Sequence, residues 1–93
     1  MQTITIRSGL SPAELESLGV NDWPIWTREV SRFDWTYDNQ ETCYILEGAI
    51  TVTPEGGDPV SIVAGDLVIF PQGMSCVWEV TAPVSKHYRF ETG

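Results

Sequence analysis

The chain has 93 residues, of which 42% are hydrophobic and 19% charged, and its formal net charge is −8. This length and composition are typical of one globular domain, so we predict a single domain over residues 1–93 and no disorder. Because so acidic a surface repels phosphate backbones and anionic lipid headgroups, we expect neither nucleic acid nor a membrane as a partner.

The first ten residues, MQTITIRSGL, contain no basic segment followed by an apolar run. They therefore do not predict a secretory signal, and we expect a cytoplasmic protein. In that compartment Cys43 and Cys76 are expected to be reduced thiols. Within the same region, Thr3 to Arg7 alternates β-branched and polar residues, which predicts a first strand.

A short helix follows. Ser11 to Glu14 has the sequence of a capping box with proline at the first helical position. The helix is predicted to run to Leu18 and to stop at Gly19, a common C-terminal residue. Leu15 and Leu18 are its expected inward contacts.

The rest of the chain consists of β-branched and apolar segments separated by Gly, Pro and Asp turns. The predicted strands cover residues 27–37, 42–46, 49–53, 60–63, 67–70, 75–80 and 84–90. Short strands with such frequent turns indicate an all-β sandwich or barrel. A barrel is favoured because closure removes exposed strand edges.

Two segments carry a family resemblance. Residues 65–76, GDLVIFPQGMSC, resemble the second cupin motif, in which a glycine is followed after five residues by Pro-x-Gly and then by a histidine. Cys76 stands at the histidine position. Glu41 to Gly48 resembles the end of the first cupin motif, whose His-x-His pair falls on Trp35 and Tyr37. The two motifs imply an RmlC-like cupin, an antiparallel β-barrel or jelly roll with one short N-terminal helix.

The strings ETCYILEG (41–48) and KHYRF (86–90) resemble the small cupins grouped with the cupin domain of (S)-ureidoglycine aminohydrolase. That resemblance implies a manganese site built from Glu, His, His and Gln. The equivalent positions in this chain hold Trp35, Tyr37, Glu41 and Cys76. This set is poor in nitrogen donors, so we predict no metal cofactor.

The resemblance implies that these positions converge in one end of the barrel. The candidate catalytic residues are Glu41 and Cys76. Candidate ligand-binding residues lie at the same positions or beside them: Trp35, Tyr37, Cys43, Trp78, Lys86 and Tyr88. The expected cavity is an aromatic box containing one carboxylate and two thiols.

Each polar candidate has two interpretations. In an apolar box Glu41 is poorly solvated unless a cation or donors pair with it, which makes it a candidate general acid or base. Alternatively, Glu41 accepts hydrogen bonds from Tyr37 or Lys86 as a buried structural link. Cys76 is a candidate nucleophile only if a base or cation forms its thiolate. The alternative that metal analysis would test is a zinc site that uses Glu41, Cys76 and Cys43, with His87 as the available imidazole.

Three functions therefore stay open. The first is metal-free binding of a small organic metabolite. The second is an enzyme, a hydrolase, isomerase or lyase that uses Glu41 or a non-standard metal. The third is a structural or interaction module whose barrel is filled by its own aromatic side chains. The cupin resemblance also implies pairing as a homodimer through residues 3–7.

Overall fold

The computed structural model describes residues 3–91, with side chains for residues 3–90. These residues form seven strands, one α-helix and one short 3₁₀ turn. The elements are β1 (Thr5–Arg7), α1 (Pro12–Leu18), the 3₁₀ turn (Val20–Asp22), β2 (Ile25–Arg28), β3 (Ser31–Thr36), β4 (Gln40–Pro54), β5 (Val60–Val63), β6 (Leu67–Phe70) and β7 (Ser75–Glu91).

Two long strands, β4 and β7, organise the fold. They pair antiparallel along most of their length, with Glu41 opposite Phe90 at one end and Pro54 opposite Cys76 at the other. One half of this ribbon is flanked by β6 and β2, with β1 beside β6, and the other half by β5 and β3. The result is two antiparallel layers that share their central strands. The predicted all-β architecture with one short helix is confirmed.

The long ribbon bends where the register of β4 shifts against β7, between Ile45 and Ile50. Gly48 lies in this bulge with φ of 97°, and a Cβ there would overlap the Pro83 carbonyl oxygen. Our prediction of separate strands at 42–46 and 49–53 is therefore wrong, and so is the separation of 75–80 from 84–90. Gly48 and Pro83 bend the strands without ending them, as bulge residues do.

The predicted strand 27–37 is instead two strands. β2 pairs with the C-terminal half of β7 and β3 with its N-terminal half. Between them, the Ser31 hydroxyl donates to the Glu29 carbonyl oxygen at 2.8 Å. The segment divides because its partner strand bends, which no local pattern reveals.

The helix begins as predicted. Ser11 Oγ accepts from the Glu14 amide at 3.2 Å, and Gly19 adopts a φ of 77° at the C-terminus. Leu18, however, is 40% exposed, so its predicted inward contact is wrong. Because the helix ends directly after it, the buried apolar contact comes from Val20 in the following turn. No helix within residues 3–91 has the length and apolar content to cross a bilayer.

The core fills the space between the two layers. Its buried members are apolar side chains that alternate along the strands with exposed ones. They are Tyr37, Cys43, Ile45, Ile50, Val52, Ile62, Val68, Phe70, Met74, Cys76, Trp78, Val80 and Val84.

Candidate functional site

A cavity of about 390 Å³ opens at the end of the barrel where β2, β3, β4 and β7 meet. This volume lies in the range of sites for small organic ligands. Most of its lining is aromatic, with four charged residues. The lining residues are Trp26, Arg28, Phe33, Asp34, Trp35, Tyr37, Glu41, Trp78, Lys86, Tyr88 and Phe90.

A buried ion pair lies in this cavity. Lys86 Nζ donates to Glu41 Oε2 at 2.5 Å, and the two residues are 5% and 3% exposed. The ammonium also lies 4.6 Å from the ring centroid of Trp78 and 5.0 Å from that of Trp26. Two indole faces and a carboxylate thus compensate the desolvated cation. Of the two interpretations of Glu41, the structure supplies the buried link to Lys86.

Stacked aromatic rings form the inner wall. Tyr37 lies on Phe70 with ring centroids 4.8 Å apart and planes 8° from parallel. Trp78 Nε1 donates to the Tyr37 hydroxyl oxygen at 3.1 Å, and Phe33 stacks on Trp78 at 5.9 Å. Burial raises the pKa of Tyr37 far above its usual range, so its phenol stays neutral. The wall therefore carries one neutral hydroxyl.

The outer part of the cavity is more open. Trp35 is 45% exposed and meets Tyr37 edge-on at 6.3 Å. Tyr88 and Phe90 follow Lys86 at alternate positions of β7 and contact each other at 5.7 Å. Six of the eight sequence-predicted site residues therefore line one cavity: Trp35, Tyr37, Glu41, Trp78, Lys86 and Tyr88.

The two thiols do not line the cavity. Cys43 is 0% exposed, and Cys76, 5% exposed, donates through its sulfur to the Trp35 carbonyl oxygen at 3.6 Å. Burial raises the pKa of Cys43 to about 12 and that of Cys76 to about 11. Both are therefore neutral thiols near pH 7, and the expected box with two thiols is instead a box with a carboxylate and an ammonium.

Five lining residues were not among the predicted site residues: Trp26, Arg28, Phe33, Asp34 and Phe90. A local signal existed for Phe90, which alternates with Lys86 and Tyr88 and so shares their face. Trp26 and Arg28 alternate in the same way on β2. Only the pairing of β2 with β7 brings that face to the cavity.

His87 lies on the opposite face of β7 from Lys86, because successive residues of a strand alternate. It is 8% exposed, and its Nδ1 donates to the Trp23 carbonyl oxygen at 2.9 Å. This imidazole therefore contacts the backbone of the chain and does not line the cavity.

The residues at the cupin ligand positions do not fit a divalent metal. Trp35 offers no lone pair, Tyr37 is a neutral phenol, and the Cys76 sulfur faces a backbone carbonyl. The ammonium of Lys86 beside Glu41 would repel a second cation. In the part of the chain that the structure describes, no three His, Cys, Asp or Glu side chains come close enough to hold a metal ion.

Two antiparallel layers that share bent central strands, with a ligand-sized cavity at one end and the Pro-x-Gly turn of residues 71–73 beside it, define a cupin barrel. Comparison with known proteins agrees. The chain belongs to the EutQ-like cupin domain family, which matches it over residues 15–88.

Several solved structures resemble this chain. A DUF861 family protein from Thermotoga maritima superposes with a TM-score of 0.92 at 50% identity, over 96% of this chain and 100% of that one. A putative ethanolamine utilization protein Q from Salmonella typhimurium gives 0.63 at 28% identity, over 69% of this chain and 51% of that one. The EutQ protein of Clostridium difficile gives 0.64 at 20% identity, over 95% and 67%, and so shows the fold alone. A comparison with curated proteins found no match.

Proposed function

We propose that this protein binds a small organic metabolite in the barrel cavity without a metal ion. The observation that carries the proposal is the ion pair of Lys86 and Glu41 within an aromatic cavity of about 390 Å³. Sites for small molecules combine apolar walls with a few convergent polar groups in this way.

The open volume itself supports binding over a purely structural barrel. Tyr37 stacks on Phe70, Phe70 lies tilted against Trp78, and the cavity remains open beside these rings. A module filled by its own aromatic side chains would hold no cavity of this size, since protein interiors pack to high density.

A metabolite screen by thermal shift, followed by calorimetric titration of each hit, tests the proposal. We expect a hit to bind about tenfold more weakly to the Trp35→Ala variant, because a stacking face at the rim is lost. Trp23→Ala is the matched control, since Trp23 lies outside the cavity lining. Absence of any hit in a broad metabolite set would contradict binding and favour the interaction module.

A second candidate function is catalysis. In this role Glu41 would exchange a proton with a bound ligand and the ammonium of Lys86 would stabilise developing negative charge; the contact of the two groups supports this proposal. This geometry suits an isomerase or lyase; kinship with ureidoglycine aminohydrolase remains a hypothesis. Loss of deuterium exchange into a bound carbonyl compound in Glu41→Gln, with binding retained, would identify Glu41 as the base. Exchange that persists unchanged would exclude this role.

The partners and cofactors belong to the same proposal. Metal analysis of protein purified without a chelating tag is expected to show no stoichiometric Mn, Zn, Fe or Ni; a full equivalent would contradict metal-free binding. The net charge of −8 supports the absence of nucleic acid and membrane partners. A cytoplasmic location and homodimer formation through residues 3–7 also stay proposals, the latter testable by light scattering.

A further inference from the structure

The charges around the cavity are unequally compensated. Two of the chain's five basic residues, Arg28 and Lys86, line it. The charge of Lys86 is balanced by Glu41. Among the side chains of residues 3–90, no carboxylate lies within ion-pair distance of Arg28. Arg28 is therefore the cation of the cavity that no described carboxylate neutralises.

The fold holds the Arg28 guanidinium at the edge of the aromatic wall. Arg28 shares a face of β2 with Trp26, two residues before it. Its guanidinium carbon lies 4.6 Å from the ring centroid of Phe33, and its Nε donates to Ser31 Oγ at 3.4 Å. These contacts leave the terminal nitrogens available. That planar pair of donors matches the two oxygens of a carboxylate.

Asp34, the second acidic residue of the lining, does not take this place. Its carboxylate makes no ion pair with Arg28 in the described part of the chain. The Arg28 guanidinium is exposed and unpaired with Asp34, so it is accessible to an acidic group of a ligand.

The rest of the cavity sets the shape and charge of that ligand. The faces of Phe33, Trp35 and Trp78 favour a flat, apolar body. A cationic ligand would be most stable between the indoles of Trp26 and Trp78. The ammonium of Lys86 already occupies that position, so the cavity disfavours a cationic ligand. We infer that the ligand is a small, flat organic carboxylate whose anionic group binds Arg28. This inference rests on the proposed binding function.

Three matched probes test it: benzoate, its neutral isostere benzamide, and the cation benzylamine. Titrations near pH 7 follow the fluorescence of the tryptophans in the cavity wall. We expect benzoate to bind about tenfold more tightly than benzamide, from a charge-assisted bidentate contact, and benzylamine to bind most weakly. Arg28→Gln should abolish the preference for benzoate and leave the benzamide affinity within about twofold of its original value.

Arg32→Gln is the matched control. It removes the same charge from an exposed position on β3, outside the cavity lining, and should keep the preference for benzoate. Arg28→Lys should keep part of the preference for benzoate, because the positive charge remains while the planar pair of donors is lost. Equal affinity for benzoate and benzamide, or a preference that survives Arg28→Gln, would overturn the carboxylate inference alone. Failure of all three probes, together with failure of the metabolite screen, would overturn both the inference and the binding function.

Discussion

The contact between Lys86 and Glu41 shows how much a single side chain depends on strand register. Ile45 is the direct partner of Lys86 on β4, and Glu41 lies four residues before it on the same face. The long lysine side chain reaches along the strand to the carboxylate, and its ammonium lies over the rings of Trp26 and Trp78. The sequence identified both residues as site candidates, and named Lys86 as one of two donors for Glu41.

Removing one charge of this pair should be far more costly than removing both. In Lys86→Met, Glu41 stays buried without a cation, so we expect the free energy of unfolding to fall by about 3 kcal/mol. The double variant Lys86→Met/Glu41→Gln should recover most of this loss, because no unpaired charge remains. Urea denaturation of both variants measures the difference.

Arg32→Met provides the control for an ion pair in water. Arg32 and Glu79 lie 4.0 Å apart with side chains 73% and 46% exposed, so the loss should stay below about 1 kcal/mol. If Lys86→Met and Arg32→Met lower the free energy of unfolding equally, burial of the Lys86–Glu41 pair does not increase the cost of removing one partner.

At the scale of elements, the bend of β4 against β7 decides which strands flank the site. One half of the ribbon pairs with β2 and the other with β3, and the cavity opens where the two meet. Glycine and proline patterns located the bend at residues 48 and 83 but indicated breaks. Turn chemistry is local, whereas continuity through a bulge requires a paired strand on the other side.

Gly48→Ala tests this bend. A Cβ at position 48 would overlap backbone atoms of Pro83 and Val84, and the φ of 97° is strained for alanine. We expect a loss of more than about 2 kcal/mol in the free energy of unfolding, measured by urea denaturation. Gly56→Ala is the control, because its φ of 74° is also positive but no atom lies within 4 Å. It should lose only about 1 kcal/mol.

A similar loss in both glycine variants would mean that backbone strain alone, and not the close approach of β7, accounts for the effect at Gly48.

At the scale of the whole molecule, a small acidic chain buries several groups that lose protons only at high pH. Burial raises the pKa of Cys43 to about 12 and of Cys76 to about 11, and that of Tyr37 also rises. In the unfolded chain these protons leave near the ordinary values of 9.0 and 10.0. Above about pH 9 the folded state therefore binds more protons than the unfolded state.

Stability should consequently be complete below about pH 9 and should decline as the pH rises toward 11 or 12. Each group contributes a slope of up to about 1.4 kcal/mol per pH unit. Urea denaturation at about pH 7.5, 9 and 10.5 measures this decline. The variant Cys76→Ala should show a shallower dependence, because one of the three protons is absent. A free energy of unfolding that stays constant to pH 10.5 would contradict the prediction.

The sequence by itself determined the fold class and six of the residues that line the cavity. The turn residues predicted an all-β barrel because glycine and proline fix turns locally, and the resemblance of Gly65, the Pro-x-Gly turn at 71–73 and Glu41 to the cupin motifs implied a cupin. The tertiary structure alone decided that β2 lies beside β7, which brings Trp26 and Arg28 to the cavity, and that the sulfur of Cys76 faces a backbone carbonyl. Strand pairing between distant segments depends on the packing of the whole chain, and no local pattern encodes it.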